Sequence, residues 1–213
     1  MAVARLLVER ADPGAIHWLQ KRGYNIASKS VLEDIVSPRE GPALARAAWE
    51  GNEAAVCLLL EVGVGAEITC CGYTPLHLAA MRGHAGVTQL LLDNGANVKA
   101  RDEVYGHSKT ALTLAATNGH LEVLKAMFEW DTDDKTKAWL VGTARDWVFG
   151  YPFGNQRVMR LLVEKEVDFR ARTYEGEKTS LLWQSGYWLL EVIPVLVEND
   201  AIASSGGRQF LGG

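Results

Sequence analysis

Gly72-Tyr73-Thr74-Pro75-Leu76-His77-Leu78-Ala79-Ala80-Met81-Arg82-Gly83-His84 is the stretch from which the rest of the chain can be read. Thr74 suits a helix cap, because its hydroxyl can accept from an N–H of the first turn. Pro75 suits that first turn, where a missing N–H costs nothing and the fixed φ is already helical. The helix start is thus encoded locally. Gly83 stands where the helix must end and a left-handed residue is wanted. A second apolar run, Val87-Thr88-Gln89-Leu90-Leu91-Leu92, ends the same way at Gly95. Ala79 and Ala80 carry almost no side chain, so a neighbouring helix can approach closely while Leu76, Val87, Leu90 and Leu91 fill the space between units.

The same pattern recurs on both sides. Leu44-Ala45-Arg46-Ala47-Ala48-Trp49-Glu50-Gly51 and Leu112-Thr113-Leu114-Ala115-Ala116-Thr117-Asn118-Gly119 align with Leu76 to Gly83, and the three glycines fall 32 and then 36 residues apart. Each is followed by a second apolar run, Ala55 to Leu60 in the first unit and Val123 to Phe128 in the third. Two short helices per unit follow from this spacing. Such a pair cannot bury its apolar face alone and needs stacked neighbours.

Taken together, Gly72 to Ala80, Gly83-His84 and Leu90-Leu91-Leu92-Asp93-Asn94-Gly95-Ala96-Asn97 resemble a nearly complete ankyrin repeat, and His77 matches the structural histidine of that family. The resemblance implies an all-α ankyrin-repeat solenoid of helix-turn-helix units with linking hairpin loops, about five units with degenerate ends. It covers residues 41–130 as three regular repeats. Residues 131–203 fit as degenerate repeats, with a first helix over Lys137 to Trp147, an aromatic-rich inserted loop over Val148 to Asn155, and a second helix from Val158 with Glu166 in place of the closing glycine. A fifth unit is echoed at Thr179 to Trp183 and Val192 to Asp200. Residues 1–40 read as atypical capping helices, among them Ala15 to Gly23, with the chain starting either inside a repeat or on a modified cap. Residues 204–213, rich in serine and glycine, read as a loose tail.

The chain has 213 residues, 48% of them apolar and 23% charged, which excludes wholesale disorder. Acids outnumber bases 26 to 22, for a net charge of −4, so nucleic acid is a poor partner. No apolar run reaches the roughly 20 residues of a membrane span, and the charged N-terminus lacks the layout of a secretory signal. Cys57, Cys70 and Cys71 are of the wrong parity for a disulfide scaffold. They point to a reducing, intracellular compartment. Without further Cys or His at metal spacing, Cys70-Cys71 reads as a pair of ordinary loop thiols rather than a zinc site.

The resemblance further implies a concave recognition face made of first helices and linking loops, and hence a protein-interaction module. Its outward positions are Arg46, Trp49 and Glu50; Leu78, Met81 and Arg82; Leu114, Thr117 and Asn118; and Arg145, Asp146 and Trp183. A row mixing Trp, Met and Leu with charged residues has the composition of an interface core and its border. The competing reading packs Trp49 and Met81 between helices. Tyr105 and His107 join this set from the middle loop, which is about three residues longer than the family norm of ~33 per repeat. That loop is either a recognition element or a solvated insertion.

Catalytic signatures are missing from the sequence. Gly63-Val64-Gly65 lacks the third glycine of a dinucleotide loop, and Asp131-Thr132-Asp133-Asp134 lacks the glycine and closing glutamate of a calcium loop. The acidic run fits a helix N-terminus better. No cofactor and no metal is implied. The alternative is a small-molecule-binding or non-redox catalytic protein of cyclase or isomerase type, in which Trp130, Trp139, Trp147, Phe149, Tyr151 and Phe153 line a pocket served by Asp131, Arg145, Asp146 or His107. The same aromatics would equally serve as a closing cap.

Overall fold

The computed structural model describes residues 12–24, 42–102, 109–150 and 156–165. The chain divides into two compact units, Met1–Trp130 and Asp131–Gly213. Among the described residues the structure is helical, with two isolated bridges, Cys70 to Tyr73 and Arg101 to Thr110, in place of strands.

In the first unit a helix α1 (Pro13–Lys21) precedes three helix pairs: α2 (Ala43–Glu50) with α3 (Glu53–Glu61), α4 (Pro75–Arg82) with α5 (Ala85–Asp93), and α6 (Ala111–Asn118) with α7 (Leu121–Glu129). Within each pair the helices pack on each other, first helices pack on first helices (α2 on α4, α4 on α6), and second on second (α3 on α5, α5 on α7). This is the stacked-pair architecture expected for residues 41–130. The helix starts use the local chemistry seen in the sequence. Thr74 Oγ1 accepts from His77 N at 3.4 Å, with Pro75 in the first turn, and Thr110 Oγ1 accepts from Thr113 N at 3.3 Å. Gly51, Gly83 and Gly119 end α2, α4 and α6 with φ of 75°, 82° and 74°, so the three sit at equivalent left-handed helix ends.

Alanine pairs at 47–48, 79–80 and 115–116 are buried, as are Leu44, Leu76 and Leu112 beside them. Small side chains let the layers close, and the leucines supply most of the apolar area removed from water, at roughly 25 cal/mol per Å². In α5, Val87 and Leu91 are buried as read in sequence, but Leu92 is buried while Leu90 is only half-buried, so Leu92 replaces Leu90 in the inward stripe. Leu114 is also corrected. It is 6% exposed and belongs to the core, not to the outward row with Thr117 and Asn118. A leucine gains more from leaving water than from holding an outward position.

Helix α1 corresponds to the expected helix over Ala15 to Gly23. Asp12 caps it, accepting from Gly14 N at 2.6 Å and Ala15 N at 3.1 Å, and α1 packs on α3 with Ala15, Trp18 and Leu19 buried.

The second unit contains α8 (Asp134–Gly150) and α9 (Gln156–Glu164). Asp133 accepts from Thr136 N at 2.9 Å and from Thr136 Oγ1 at 2.7 Å, so the acidic run does serve a helix N-terminus. Helix α8 is longer than the expected Lys137 to Trp147, and Val148–Gly150, assigned to an inserted loop, form its last turn. Val148 and Phe149 contain nothing that breaks a helix, whereas Pro152 disfavours helical backbone at the residue before it. Buried Thr136, Leu140 and Ala144 recur every four residues on α8, and buried Val158, Leu161 and Leu162 share one face of α9. The expected fifth unit, the N-terminal segment before Asp12 and the tail 204–213 lie outside the described residues.

Candidate functional site

Helices α2 and α4 and the hairpin ahead of α4 enclose an open groove of about 270 Å³. Pro42, Ala45, Arg46 and Trp49 form one wall, Leu78 lies opposite, and Cys70, Cys71 and Tyr73 form the lip. The lip is a two-residue turn. Cys70 N donates to Tyr73 O at 2.8 Å and Tyr73 N donates back to Cys70 O at 3.0 Å, with positive φ at Cys71 (53°) and Gly72 (82°). Two successive positive φ values are the signature of the hairpin turn whose twist matches its flanks.

Trp49 is 39% exposed, a large hydrophobic side chain left in water at the groove wall. The Arg82 guanidinium stacks over its ring at 4.6 Å from the centroid. The contact joins adjacent units and adds a cation–π attraction of about 0.5–1 kcal/mol at an exposed site. No carboxylate pairs with Arg82 among the described residues.

Glu50 behaves differently. Trp18 Nε1 donates to its Oε2 at 3.0 Å, Arg46 Nε donates to Oε1 at 3.2 Å, and Arg22 forms an ion pair with it while stacking 4.4 Å above the Trp18 ring. Burial alone would raise the Glu50 pKa. The hydrogen bonds from Trp18 and Arg46 and the charge of Arg22 outweigh that and hold it below the ordinary 4.5. Glu50 and Arg46 thus help dock α1.

The linkage between units runs through histidines. His84 Nε2–H donates to Trp49 O at 3.1 Å and His120 Nε2–H to Met81 O at 3.0 Å, so α5 and α7 each carry at the N-cap a ring that bonds the last turn of the first helix of the repeat before. His77 is fully buried. Its Nδ1 accepts from Thr74 N at 3.2 Å and Thr74 Oγ1 at 2.8 Å, which assigns the Nε2–H tautomer donating to Ala100 O (3.1 Å) and Lys109 O (3.2 Å). Burial pushes its pKa below the ordinary 6.5 against those carbonyls and the Asp102 charge. A neutral, fully engaged imidazole serves the stack.

A family model described as ankyrin repeats, in three copies, matches residues 44–138. Residues 44–138 are ankyrin repeats. Over 167 residues, 75% of the chain, the protein is 34% identical to a Caenorhabditis elegans homologue of transient receptor potential cation channel subfamily A member 1, of which that stretch covers 12%. It is 35% identical over 126 residues to human ankyrin repeat and SOCS box protein 11, covering 57% of this chain and 38% of that protein. Potassium channel AKT2/3 of Arabidopsis thaliana is 35% identical over 98 residues, 46% of this chain and 12% of the channel. The chain therefore spans well under half the length of these relatives.

Within the ankyrin repeats, the outward candidates divide. Arg46, Trp49, Leu78, Met81 and Arg82 all belong to α2 and α4; Arg46, Trp49 and Leu78 line the groove, Arg82 stacks on its wall, and half-buried Met81 follows on α4. Asn118 is exposed, but its Nδ2 bonds back to Leu114 O at 2.9 Å, and Thr117 bonds back to Thr113 O at 2.7 Å. Arg145 and Asp146 sit on the backbone of α8, with side chains outside the described residues; Tyr105, His107 and Trp183 lie outside them altogether. The stem of the Tyr105–His107 loop is described: Asp102 and Lys109 exchange backbone and side-chain hydrogen bonds at 2.8 Å. Sequence reading missed the two thiols as groove lining. The available signal was Gly72 directly after Cys70-Cys71, because a turn residue at that place folds its neighbours back toward α4.

Proposed function

We propose that these ankyrin repeats hold a segment of a partner protein across α2 and α4, with an apolar side chain of the partner in the groove beside Trp49 and an acidic one against Arg82. Ankyrin repeats mediate protein–protein interaction in general. What supports this particular surface is exposed Trp49, partly desolvated under Arg82 and adjoining an apolar groove; aromatic and arginine residues of that kind dominate interface energies. No helix among the described residues is long and apolar enough to cross a membrane, and three unpaired cysteines suit a reducing compartment.

The double variant Trp49→Ala, Met81→Ala tests the reading. Both side chains are on the outward row, so the thermal melt followed by circular dichroism stays close to wild type. Partner recovery on the immobilised protein falls about thirtyfold or more, the consequence of removing a hot spot worth about 2 kcal/mol or above. Equal recovery with both proteins folded removes the groove from the interface.

A further inference from the structure

We propose that Cys70 and Cys71 form a two-thiol site for a soft, thiophilic centre that bridges both sulfurs, a monosubstituted trivalent arsenical being the ligand that commits to it most simply. The two Sγ atoms lie 4.0 Å apart. Cys71 is exposed and Cys70 half-buried, and both are free thiols. The turn holds them there, since Cys70 is bonded to Tyr73 at both its N–H and its carbonyl. A centre bonding each sulfur at the roughly 2.3 Å of a zinc thiolate, with angles between pyramidal and tetrahedral, needs sulfurs about 3.4–3.8 Å apart. Small side-chain rotations close that gap. A direct disulfide needs about 2.05 Å between the sulfurs, which the paired hairpin opposes, so one interposed atom suits the site better than a bond.

The reaction is an exchange at arsenic without redox. An organyl arsonous acid, R–As(OH)₂, reacts with two thiols; both S–H bonds and both As–OH bonds break, two As–S bonds form, and the two protons leave with the two hydroxyls as water. Arsenic stays trivalent. Burial, then the neighbouring Cys71, pushes the Cys70 thiol above the ordinary 9.0, so the resting form at neutral pH is the thiol, the attacking thiolate is a minor fraction, and capture quickens as pH rises. Cys57 stands apart on α3, its Sγ 3.5 Å from Glu61 Oε1. It supplies the internal control.

The experiment treats the full-length chain with phenylarsonous acid in excess monothiol and reads intact mass and free thiols. The expected result is one phenylarsenic per chain, two thiols lost, resistance to the monothiol, and release by a dithiol. Cys57→Ser keeps this behaviour, while Cys70→Ser and Cys71→Asn each lower retention at least tenfold. Asparagine tolerates the positive φ at position 71, so the hairpin survives the change. Circular dichroism confirms folding of each variant. Retention unchanged in either Cys70→Ser or Cys71→Asn, or lost in Cys57→Ser, overturns the proposal. None of these readings depends on partner capture.

Discussion

Gly51 and Gly83 are fixed by two demands at once. Their φ values of 75° and 82° are left-handed, and a Cβ on either would come within 2.5 Å of His84 Nδ1 or 2.7 Å of His120 Nδ1. Gly95 shares the conformation, at φ 83°, with nothing within 4 Å of an added Cβ. Alanine at position 95 therefore costs only the left-handed backbone, about 1–2 kcal/mol. Gly83→Ala costs clearly more, because it also dislodges the imidazole that bonds Met81 O. Urea denaturation of the two variants separates the terms. Adding His120→Ala to Gly83→Ala should recover part of the excess, and strict additivity would show that the ring and the glycine are independent. A second residue, His77, carries a pH signature. Its folded pKa is depressed, so its contribution is complete above about pH 6.5 and declines as acid charges the ring first in the unfolded chain. Stability to urea should fall on lowering the pH below that value, and His77→Gln should flatten the fall. The helix-ending glycines, Thr74 and Pro75 were all legible in sequence because each acts within its own turn. That the His84 and His120 rings reach the previous unit was not, since their partners, the Trp49 and Met81 carbonyls, lie 35 and 39 residues away and a backbone oxygen leaves no mark on composition.

Among the elements, α1 shows how a charged outward residue changes meaning once its neighbours are placed. Glu50 reads in sequence as part of a recognition row, yet Trp18 of α1 and Arg22 at its C-cap bond it and Arg46 reaches it from one turn away. The spacing of 32 residues between Trp18 and Glu50 has no periodic signal, which is why the sequence is silent on the pair. Helix α8 gives the opposite lesson: its extra turn was written in the unbroken Val148-Phe149-Gly150 before Pro152, and an emphasis on aromatic content hid it. The docking of α1 responds to acid in a definite direction. Because the folded Glu50 pKa is lowered, the stabilisation is present above its ordinary 4.5 and is lost as pH falls through the folded value. Glu50→Gln keeps an acceptor for Trp18 but removes the charge facing Arg22 and Arg46. It should cost about 1 kcal/mol or less at neutral pH and weaken the acid dependence of α1 protection measured by hydrogen exchange. An unaltered acid limb would assign that dependence to other carboxylates.

At the scale of the whole molecule, the first unit is a row in which each layer touches only its neighbours, and position along the row decides what a core mutation does. Leu19 on α1 and Leu91 on α5 are both fully buried. By side-chain chemistry alone, Leu→Ala at either costs about 2–5 kcal/mol. Their surroundings differ. Helix α1 packs on α3 at one end of the described row, whereas α5 packs on α3, α4 and α7 in its middle. Leu19→Ala should therefore release α1 alone, leaving slow hydrogen exchange in α2 to α7. Leu91→Ala removes apolar contact from the layer through which both flanking repeats are held. Neither flanking pair can bury its apolar face without that layer, so protection should drop together in α2 through α7, with a matching loss in urea midpoint. Exchange confined to α5 in Leu91→Ala would mean that each helix pair is stable by itself, contrary to the reason three repeats in succession are needed. The same pair of variants bears on the groove. Its walls belong to α2 and α4, so partner capture should persist in Leu19→Ala and fail in Leu91→Ala at temperatures where the latter has begun to open.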